Sequence, residues 1–515
     1  MKNTILFLAF ISTLFACSVS KNTSNFEVEQ HRPQFHFTPQ KGWMNDPNGL
    51  IYYAGEYHLF YQHFPDTTVW GPMHWGHAVS KDLVSWEHLP IALYPDTIGC
   101  IFSGSAVLDE KNTSGFQQGN EKPLVAIFTY HNLDWERAGR LDRESQGIAY
   151  SLDKGRTWVK YDKNPVLKNK GDVDFRDPKV FWHEESQYWI MSLAVGNHLE
   201  LFRSKNLKNW DKISDFGLNE GSHGGVWECP DLFSIRTSKG IKKWVLLQNI
   251  GRGAATGGSG TQYFVGDFDG KIFKNDNSAE TVLWFDYGAD NYAGVTWMNA
   301  PNNRRLFIGW MSNWDDYAQT VPTKKWRSAL TVPRELSLEE TPEGFRLMQK
   351  PVIELEKLRT KTTVLPTQDF SNFLPINEKS TTKEVEFSFD LSKTTANEIG
   401  FFISNTKNES LWVGYNLATK TFYTDKTKAG KSDFSEKFAK RHDAPYKASN
   451  TLIIKALIDA SSIEIFIDNG KLAMTEIFFP SEDFTEINLF AKGGKANLTA
   501  GKVFLLKKIG TKIGG

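Results

Sequence analysis

Three short segments of this chain each place an acidic residue beside a proline, at the start of what reads as a β-hairpin. In each case an apolar strand, a polar turn and an aromatic-rich strand follow. The segments are Trp43-Met44-Asn45-Asp46-Pro47-Asn48-Gly49, Phe175-Arg176-Asp177-Pro178-Lys179 and Trp227-Glu228-Cys229-Pro230-Asp231. An acid that merely caps a turn would explain one segment. Three segments, each with large aromatic neighbours, indicate one structural unit that is used repeatedly.

A second repeat, of a serine, a polar turn and a tryptophan, points to the same architecture. Its copies are Ser80-Lys-Asp-Leu-Val-Ser-Trp86, Ser151-Leu-Asp-Lys-Gly-Arg-Thr-Trp158 and Ser204-Lys-Asn-Leu-Lys-Asn-Trp210. Residues 31–347 keep no long apolar period of 3.6 residues, so helix is scarce. Repeats of several strands each predict a β-propeller, in which a tryptophan fills the space between neighbouring sheets.

The spacing of the acids agrees with blades of a propeller. Asp177 and Glu228 lie 51 residues apart (177 to 228), about the length of one four-stranded blade of ~40–50 residues. The interval from Asp46 to Asp177 leaves room for one blade with long insertions or for two blades. We expect the acids to occupy equivalent places, at the start of strands that face the axis.

A second domain is expected after the propeller, because 515 residues are too many for one compact core. Residues 348–362 are predicted to be a linker, with a short helix over 351–359 that begins at Pro351. In residues 363–515, apolar and polar residues alternate, and Asp468-Asn469-Gly470 forms a hairpin-turn signal. These features predict a half-buried antiparallel sheet in a β-sandwich, which we interpret as structural support.

Composition narrows the class of partner. The chain has 60 Lys and Arg against 60 Asp and Glu, which argues against nucleic acid or an anionic membrane as the main partner. Aromatic residues make up 14% of the chain, including 17 Trp, and flat side chains with a polar edge suit stacking on sugar rings. A neutral carbohydrate is the partner that fits best.

The first 17 residues are predicted to be an export signal. Lys2 precedes an apolar run over residues 5–15 that is too short to span a bilayer. The run ends in Leu14-Phe15-Ala16-Cys17, which resembles a bacterial lipoprotein box with Cys17 as the lipidated residue. The alternative is an ordinary signal peptide, and residues 18–30 are predicted to be a flexible tether. We therefore expect export from a bacterial cell and a lipid anchor, facing the periplasm or the cell surface.

Two cysteines remain after this segment, Cys100 and Cys229. Two cysteines form no disulfide framework, and they show no metal-ligand spacing. We interpret both as small buried residues, and we expect neither a metal nor a cofactor.

The three acids have the local chemistry that a retaining glycosidase needs, namely a nucleophilic carboxylate and a protonated carboxylic acid. Glu228, between Trp227 and Cys229, is in surroundings that raise a pKa, so it is predicted to be the acid/base. Asp46 lies in a polar turn whose hydrogen bonds favour an ionised nucleophile. Asp177, beside Arg176, is expected to stay charged and to stabilise the transition state.

Taken in order, the three segments resemble the signature motifs of glycoside hydrolase family 32, which contains invertases, inulinases and levanases. Further stretches that resemble this family are residues 102–105, 257–263, 309–314, 327–336 and 462–479. The resemblance implies an all-β chain, a five-bladed β-propeller followed by a C-terminal β-sandwich. It also implies the same roles for Asp46, Asp177 and Glu228. The positions that match the lining of the family's fructosyl pocket are Asn45, Gln62, Trp70, Phe102, Ser103, Arg176 and Trp314.

Two other segments have weaker interpretations. The glycine-rich stretch 251–260 resembles a phosphate-binding loop but lacks the following Lys-Ser/Thr, so we interpret it as a surface loop near the pocket. The charged stretch 134–144 is interpreted as a solvated loop. The functional alternative for that stretch is a wall of the leaving-group subsites.

The sequence therefore predicts an exported, retaining, exo-acting hydrolase that releases fructose from levan or inulin, and also from sucrose. An endo-levanase or an invertase on the same core is the nearest alternative, and a transferase is another. A non-catalytic sugar-binding propeller would be expected to lack Asp46 or Glu228. A five-bladed glycosidase of arabinose polymers would lack the stretch from Trp43 to Gly49. The oligomeric state is left unassigned.

Overall fold

The computed structural model describes residues 29–314 and 316–509. The predicted signal peptide, Cys17 and the predicted tether up to residue 28 lie outside these residues. In the described part, the helices are one short α-helix and three 3₁₀ turns: α1 (Leu133–Arg137), Leu141–Arg143, Pro301–Asn303 and Ile353–Leu358. None of these helices is long and apolar enough to cross a membrane.

Residues up to Pro351 form five antiparallel sheets, which are the five blades of a propeller. The first two blades contain β1 (Gly42–Tyr53), β2 (Glu56–Phe64), β3 (His74–Ser80), β4 (Glu87–Leu93), then β5 (Cys100–Leu108), β6 (Leu124–His131), β7 (Glu144–Ser151), β8 (Val159–Lys160) and β9 (Leu167–Lys168). The third and fourth contain β10 (Phe175–His183), β11 (Tyr188–Val195), β12 (His198–Ser204), β13 (Asp211–Phe216), then β14 (Trp227–Arg236), β15 (Lys242–Ile250), β16 (Gly260–Phe268), β17 (Phe273–Asn275) and β18 (Leu283–Trp284). The fifth contains β19 (Tyr292–Thr296), β20 (Arg305–Met311), β22 (Ala329–Leu330), β23 (Arg334–Thr341) and β24 (Gly344–Pro351), while β21 (Trp326–Arg327) pairs in parallel with β1.

The first strand of each blade lies at the axis. These inner strands (β1, β5, β10, β14 and β19) contact one another in order around a closed ring. Closure is completed by β21, which follows the first strands of the fifth blade but joins the sheet of the first. A ring of this kind leaves no exposed inner edge, so the inner strands hold their side chains at fixed separations.

The Ser-Trp repeats occupy equivalent places in the first three blades. Each begins at the last residue of the third strand, at Ser80, Ser151 and Ser204. Each serine hydroxyl bonds the side chain two residues later, and residue Leu83, Lys154 or Leu207 in the turn has a positive φ. The prediction of one unit reused in successive sheets is therefore confirmed, and the interval from Asp46 to Asp177 holds two blades.

The link to the second domain differs from the predicted helix. Pro351 is the last residue of β24, and the helical turn covers only Ile353–Leu358, in the 3₁₀ form. The prediction was wrong at the start because Pro351 pairs with Arg334 in the sheet. Leu355 and Leu358 are buried and belong to the same apolar cluster as the first and fifth blades.

The remaining strands form a β-sandwich in which one long strand belongs to both layers. The strands are β25 (Arg359–Leu365), β26 (Gln368–Ile376), β27 (Lys383–Asp390), β28 (Glu398–Ser404), β29 (Ser410–Asn416), β30 (Thr421–Lys428), β31 (Arg441–Pro445), β32 (Thr451–Ile458), β33 (Ser462–Ile467), β34 (Leu472–Ile477) and β35 (Glu486–Leu506). The first part of β35 pairs with β28 and the last part with β27. Its 21 residues therefore tie the layers β31-β30-β29-β28 and β27-β32-β33-β34 together around one apolar core.

The predicted alternation holds for β27, where Val385, Phe387 and Phe389 are buried in the sandwich core. On β33 the prediction of a half-buried strand was wrong, because Glu464 and Phe466 on its second face are buried too. That second face lies against the propeller. There the Glu464 carboxylate bonds Arg334 and His36, with distances of 2.5 Å and 2.9 Å.

Candidate active site

A single backbone feature repeated in all five inner strands builds the site. Each inner strand has a bulge at which two residues are inserted between paired positions, where its neighbour has one. The four-residue stretches that span the bulges are Met44–Pro47, Ile101–Gly104, Arg176–Lys179, Glu228–Asp231 and Tyr292–Val295. Bulges redirect side chains and are enriched near active sites.

We expected the three acids to occupy equivalent places on their strands, but they do not. Glu228 precedes its bulge, Asp177 is the first inserted residue and Asp46 is the second. Asp177 and Cys229 both have a positive φ (66° and 43°), a backbone conformation that residues other than glycine seldom adopt. The one-residue offsets give each carboxylate a different direction of approach to a common point on the axis.

Asp46 is held by neutral donors. Ser103 Oγ donates to one carboxylate oxygen over 2.6 Å, and Asn45 Nδ2 donates to the other over 2.9 Å. Asn45 is itself oriented by the indole N–H of Trp43, 2.8 Å from Asn45 Oδ1. Burial raises the pKa of Asp46, while the bonds from Ser103 and Asn45 lower it. The geometry fits a carboxylate that is kept in one orientation without a cationic partner.

Cys229 lies between two of the acids. Its Sγ is 3.4 Å from Asp46 Oδ2 and 3.5 Å from Asp177 Oδ2. Its backbone N–H donates to Asp177 over 2.9 Å. Burial and the surrounding carboxylates raise the pKa of the Cys229 thiol well above its ordinary value. Cys229 is therefore a buried neutral thiol, as predicted, and it also sets the spacing of two carboxylates.

Glu228 is bound by a guanidinium and a phenol. Arg176 donates through Nε and one terminal nitrogen to the same oxygen, over 3.2 Å and 3.1 Å. Tyr292 donates its hydroxyl to the other oxygen. Burial raises the pKa of Glu228 in spite of these donors, and the charge of Asp46 adds to the rise. A fifth of the side chain is still exposed to the cavity.

The charge of Arg176 lowers the pKa of Asp177, as expected, but burial outweighs it. The Arg176 guanidinium also bonds Glu144 and Asp174, over 3.1 Å and 2.7 Å, so its donors are directed away from Asp177. Burial, with the charges of Glu228 and Asp46, raises the pKa of Asp177 to about 8. The Asp177 and Glu228 carboxylates interact so closely that they titrate together as a pair.

The ten residues predicted for catalysis and substrate binding all line one cavity of about 210 Å³. These are Asn45, Asp46, Gln62, Trp70, Phe102, Ser103, Arg176, Asp177, Glu228 and Trp314. Seven of them belong to the bulge stretches of the inner strands, whereas Gln62, Trp70 and Trp314 lie elsewhere in the fold. The structure brings all of these residues together, while their individual roles stay predictions.

Sequence reasoning missed several residues of the cavity. Five further lining residues are His131, Glu136, Arg143, Glu144 and Asp174. Three of them, Glu136, Arg143 and Glu144, belong to the charged stretch 134–144, so its interpretation as a merely solvated loop was wrong. Tyr292, which binds Glu228, was also missed. Aligning the three acid-bearing segments with the first strand of the fifth blade could have found it, because Tyr292 begins the bulge stretch of that strand.

A second cavity of about 390 Å³ adjoins the first beside Glu228. Both cavities are lined by Arg176, Glu228 and Trp314, and the second is completed by Gly224, Gly225, Val226, Gly251 and Arg252. The glycine-rich stretch 251–260 thus contributes to the rim, in agreement with its interpretation as a loop by the pocket. Cys100, the other predicted buried cysteine, is also buried and unpaired.

In the described residues, one group of side chains has ligand atoms close enough for a metal, namely His198, Glu200 and Asp215. The ammonium of Lys212 already lies 2.5 Å from Glu200 and 2.7 Å from Asp215. The lysine ammonium already provides the positive charge that a metal ion would bring to these carboxylates, so we assign no metal to this group.

Replacing Asp177 with asparagine is expected to stabilise the fold at alkaline pH. The folded pKa of about 8 lies well above the ordinary pKa of an aspartate, about 4. The penalty of ionising Asp177 in the fold is therefore absent below about pH 4 and complete above about pH 8. The variant keeps an oxygen for the Cys229 N–H. We expect a melting temperature about 1–3 °C above wild type near pH 9 and equal to it near pH 4. Thermal unfolding across this range, with the exposed-site variant Asp162→Asn as control, would refute this if the difference were independent of pH.

A five-bladed propeller with three carboxylates that line one cavity defines a glycoside hydrolase. The described residues fit two family models, Glycosyl hydrolases family 32 N-terminal domain over residues 36–351 and Glycosyl hydrolases family 32 C terminal over residues 354–504. The chain belongs to glycoside hydrolase family 32.

Individual relatives agree with this assignment. The chain is 48% identical to a levanase of Bacillus subtilis (strain 168), over 98% of this chain and 74% of the relative. It is 38% identical to an extracellular exo-inulinase of Aspergillus awamori, over 92% and 94%. The crystal structure of an exo-inulinase from Aspergillus awamori superposes with a TM-score of 0.87 at 35% identity, over 94% of this chain and 99% of that one. A fructofuranosidase from Schwanniomyces occidentalis, complexed with fructose, gives 0.82 at 33%, over 93% and 99%.

Proposed function

We propose that this protein is a retaining β-fructosidase that removes terminal fructosyl residues from fructans, and also from sucrose. The observation that carries the proposal is the convergence of Asp46, Asp177 and Glu228 on one cavity, with neutral donors on the first and a raised pKa on the last. The names of the relatives, levanase, exo-inulinase and fructofuranosidase, support a fructosyl substrate.

In the first step, Asp46 attacks the anomeric carbon of the terminal fructose and forms a covalent fructosyl-enzyme. Glu228 donates its proton to the glycosidic oxygen as the bond breaks. The two bonds from Ser103 and Asn45 hold the Asp46 carboxylate in line for the attack. The leaving chain occupies the second cavity, which shares Glu228 with the first.

In the second step, Glu228, now ionised, removes a proton from a water molecule that attacks the fructosyl-enzyme. Fructose leaves and Asp46 is regenerated. Asp177 binds the hydroxyls of the sugar, and in its ionised form it stabilises positive charge on the ring in both transition states. Its backbone N–H is fixed to Thr129 Oγ1 over 3.0 Å, and its carboxylate is fixed by the N–H of Cys229.

The depth of the carboxylates supports exo action. Asp46 and Asp177 are 9% and 5% exposed, and the aromatic side chains Trp70, Phe102 and Trp314 line the cavity above them. Carboxylates at this depth are reached more easily by a chain end than by the interior of a polymer. Early digestion of levan or inulin is therefore expected to release free fructose almost alone, while polymer length falls slowly.

Chromatography of products at low conversion tests this expectation. The matched control is the Asp46→Asn protein, prepared in parallel, which should release nothing and so excludes a contaminating hydrolase. A ladder of short oligosaccharides from the wild-type enzyme would contradict exo action and favour the endo-levanase alternative. No product from levan, inulin or sucrose would contradict the proposed function itself.

We also propose that the protein is exported and held at a membrane through a lipid on Cys17. The apolar run before Cys17 and the extracellular location named for the exo-inulinase relative support export. Acyl chains contribute ~0.8 kcal/mol per buried CH₂, so two or more form a firm anchor. The wild-type protein should sediment with membranes and Cys17→Ala should not. Equal recovery of both in the soluble fraction would contradict the anchor.

A further inference from the structure

A buried ion pair lies just beyond the acids on the propeller axis. Lys179 and Asp231 are the residues that follow the bulges of β10 and β14, so they occupy equivalent places in adjacent blades. Lys179 Nζ lies 3.0 Å from Asp231 Oδ2, and the two side chains are 5% and 0% exposed. Lys179 is two residues from Asp177, and Asp231 is three residues from Glu228.

The pair also contacts the fifth blade. Lys179 donates to the backbone carbonyl of Thr296 over 2.7 Å, and the Thr296 N–H donates to Asp231 over 2.6 Å. We name Lys179, Asp231 and Thr296 the axial clamp. It joins β10, β14 and β19, the three strands that carry Asp177, Glu228 and Tyr292. On the other side of β10, Ser105 of β5 bonds the carbonyl of Pro178 and the N–H of Val180, both over 2.9 Å.

The backbone beside the acids needs such an anchor. Asp177 and Cys229 have positive φ angles in the bulges of the same two strands. Non-glycine residues keep that conformation only where surrounding contacts over-determine it. On the cavity side, one contact between the bulges is the bond from the Cys229 N–H to Asp177. On the opposite side, the axial clamp fixes both strands.

We propose that Lys179 and Asp231 are positioning residues that set the separation and direction of the Asp177 and Glu228 carboxylates. The inference rests on the roles proposed above for these two acids. The Lys179 ammonium does not reach the substrate cavity, whose lining excludes it, so its effect passes through the backbone. A shift of the strands by a fraction of an ångström changes the interaction of the two carboxylates and hence the pH range of activity.

The test compares the neutral pair Lys179→Met/Asp231→Leu with the wild-type enzyme. Replacing both charges avoids leaving one member of the pair alone. Arg305, whose charge also interacts with Asp231, keeps its bonds to Thr296 Oγ1 and to the Ser234 carbonyl. Because misplacement by about 1 Å can cost 10²-fold, kcat is expected to fall about 10- to 100-fold with KM within about threefold. The pH optimum should also move, since the coupled titration of Asp177 and Glu228 depends on their separation. The control is Arg359→Met/Glu384→Leu, a bidentate ion pair in the sandwich, which should change neither kcat nor the pH profile.

A second variant, Asp231→Asn, keeps the test decisive if the double variant folds poorly. Burial lowers the pKa of Lys179, so this lysine can lose its proton once its partner is neutral. The same fall in kcat and change of pH profile are expected, to a smaller extent. A folded variant with an unchanged kcat and pH profile, even at a lower melting temperature, would overturn the proposal. If the proposed roles of the acids were wrong, Glu228→Gln would also leave the pH profile unchanged. That result would distinguish failure of the proposed function from failure of the positioning proposal.

Discussion

Asp46→Asn is expected to abolish turnover, with a loss on the order of 10⁴-fold or more in kcat. Asparagine cannot form the covalent fructosyl-enzyme, so both chemical steps are removed. The fold should be intact, because the amide oxygen can still accept from Asn45 and the Ser103 hydroxyl can accept from the new NH₂ group. Fructose release from levan, inulin and sucrose measures the loss, and calorimetric binding of fructose checks that the cavity is preserved.

A matched variant separates loss of the nucleophile from loss of its orientation. Ser103→Ala removes the hydroxyl 2.6 Å from Asp46 but keeps the carboxylate. A hydrogen bond to a charged group is worth about 1.5–3 kcal/mol, so kcat/KM should fall only about 10- to 100-fold. An Asp46→Asn enzyme with activity within tenfold of wild type, after purification from a strain without other fructosidases, would remove Asp46 from the role of nucleophile.

Glu228→Gln is expected to lose the most activity on substrates whose leaving group needs a proton. General acid catalysis typically contributes ~10²–10⁴-fold, and we expect a loss of this size on a fructan chain or sucrose. The aryl group of an activated aryl fructoside leaves without protonation. With this substrate, the step that forms the fructosyl-enzyme should therefore be much less affected. Glutamine keeps the acceptor for Arg176 and can pair with Tyr292, so the cavity should be maintained.

The pH dependence gives an independent readout of the same residue. Burial raises the pKa of Glu228, so in the wild-type enzyme kcat/KM should fall on the alkaline side as this acid loses its proton. In Glu228→Gln, that alkaline limb should disappear for the aryl substrate. Equal losses on the polymer and the aryl fructoside, with the alkaline limb retained, would show that another group is the acid.

The sequence was sufficient for the fold class and for ten of the residues that line the site, but not for others such as Glu144, Asp174 and Tyr292. Aromatic-flanked acids beside prolines, and the Ser-Trp turns, recur at blade spacing because every blade repeats the same backbone geometry. Side chains such as Asn45, Asp46 and Arg176 could be predicted because they belong to local motifs, whose chemistry is determined by neighbours in the chain. Other residues, which lie outside those motifs, were found only through the resemblance to the family; these are Gln62, Trp70, Phe102, Ser103 and Trp314.

Only the tertiary structure decided how these residues interact. The charge of Arg176 does not offset the burial of Asp177, its neighbour in the chain. The guanidinium is directed to Asp174, just before β10, and to Glu144 and Glu228 of the two neighbouring blades. The stretch 134–144 contributes three side chains to the cavity wall, and the second face of β33 is buried against the propeller, because segments far apart in the chain meet at these places. Burial and long-range pairing determine pKa values and side-chain directions, and both depend on which strands meet around the axis. Local sequence specifies each strand and its bulge, whereas the ring of five inner strands decides where their carboxylates meet.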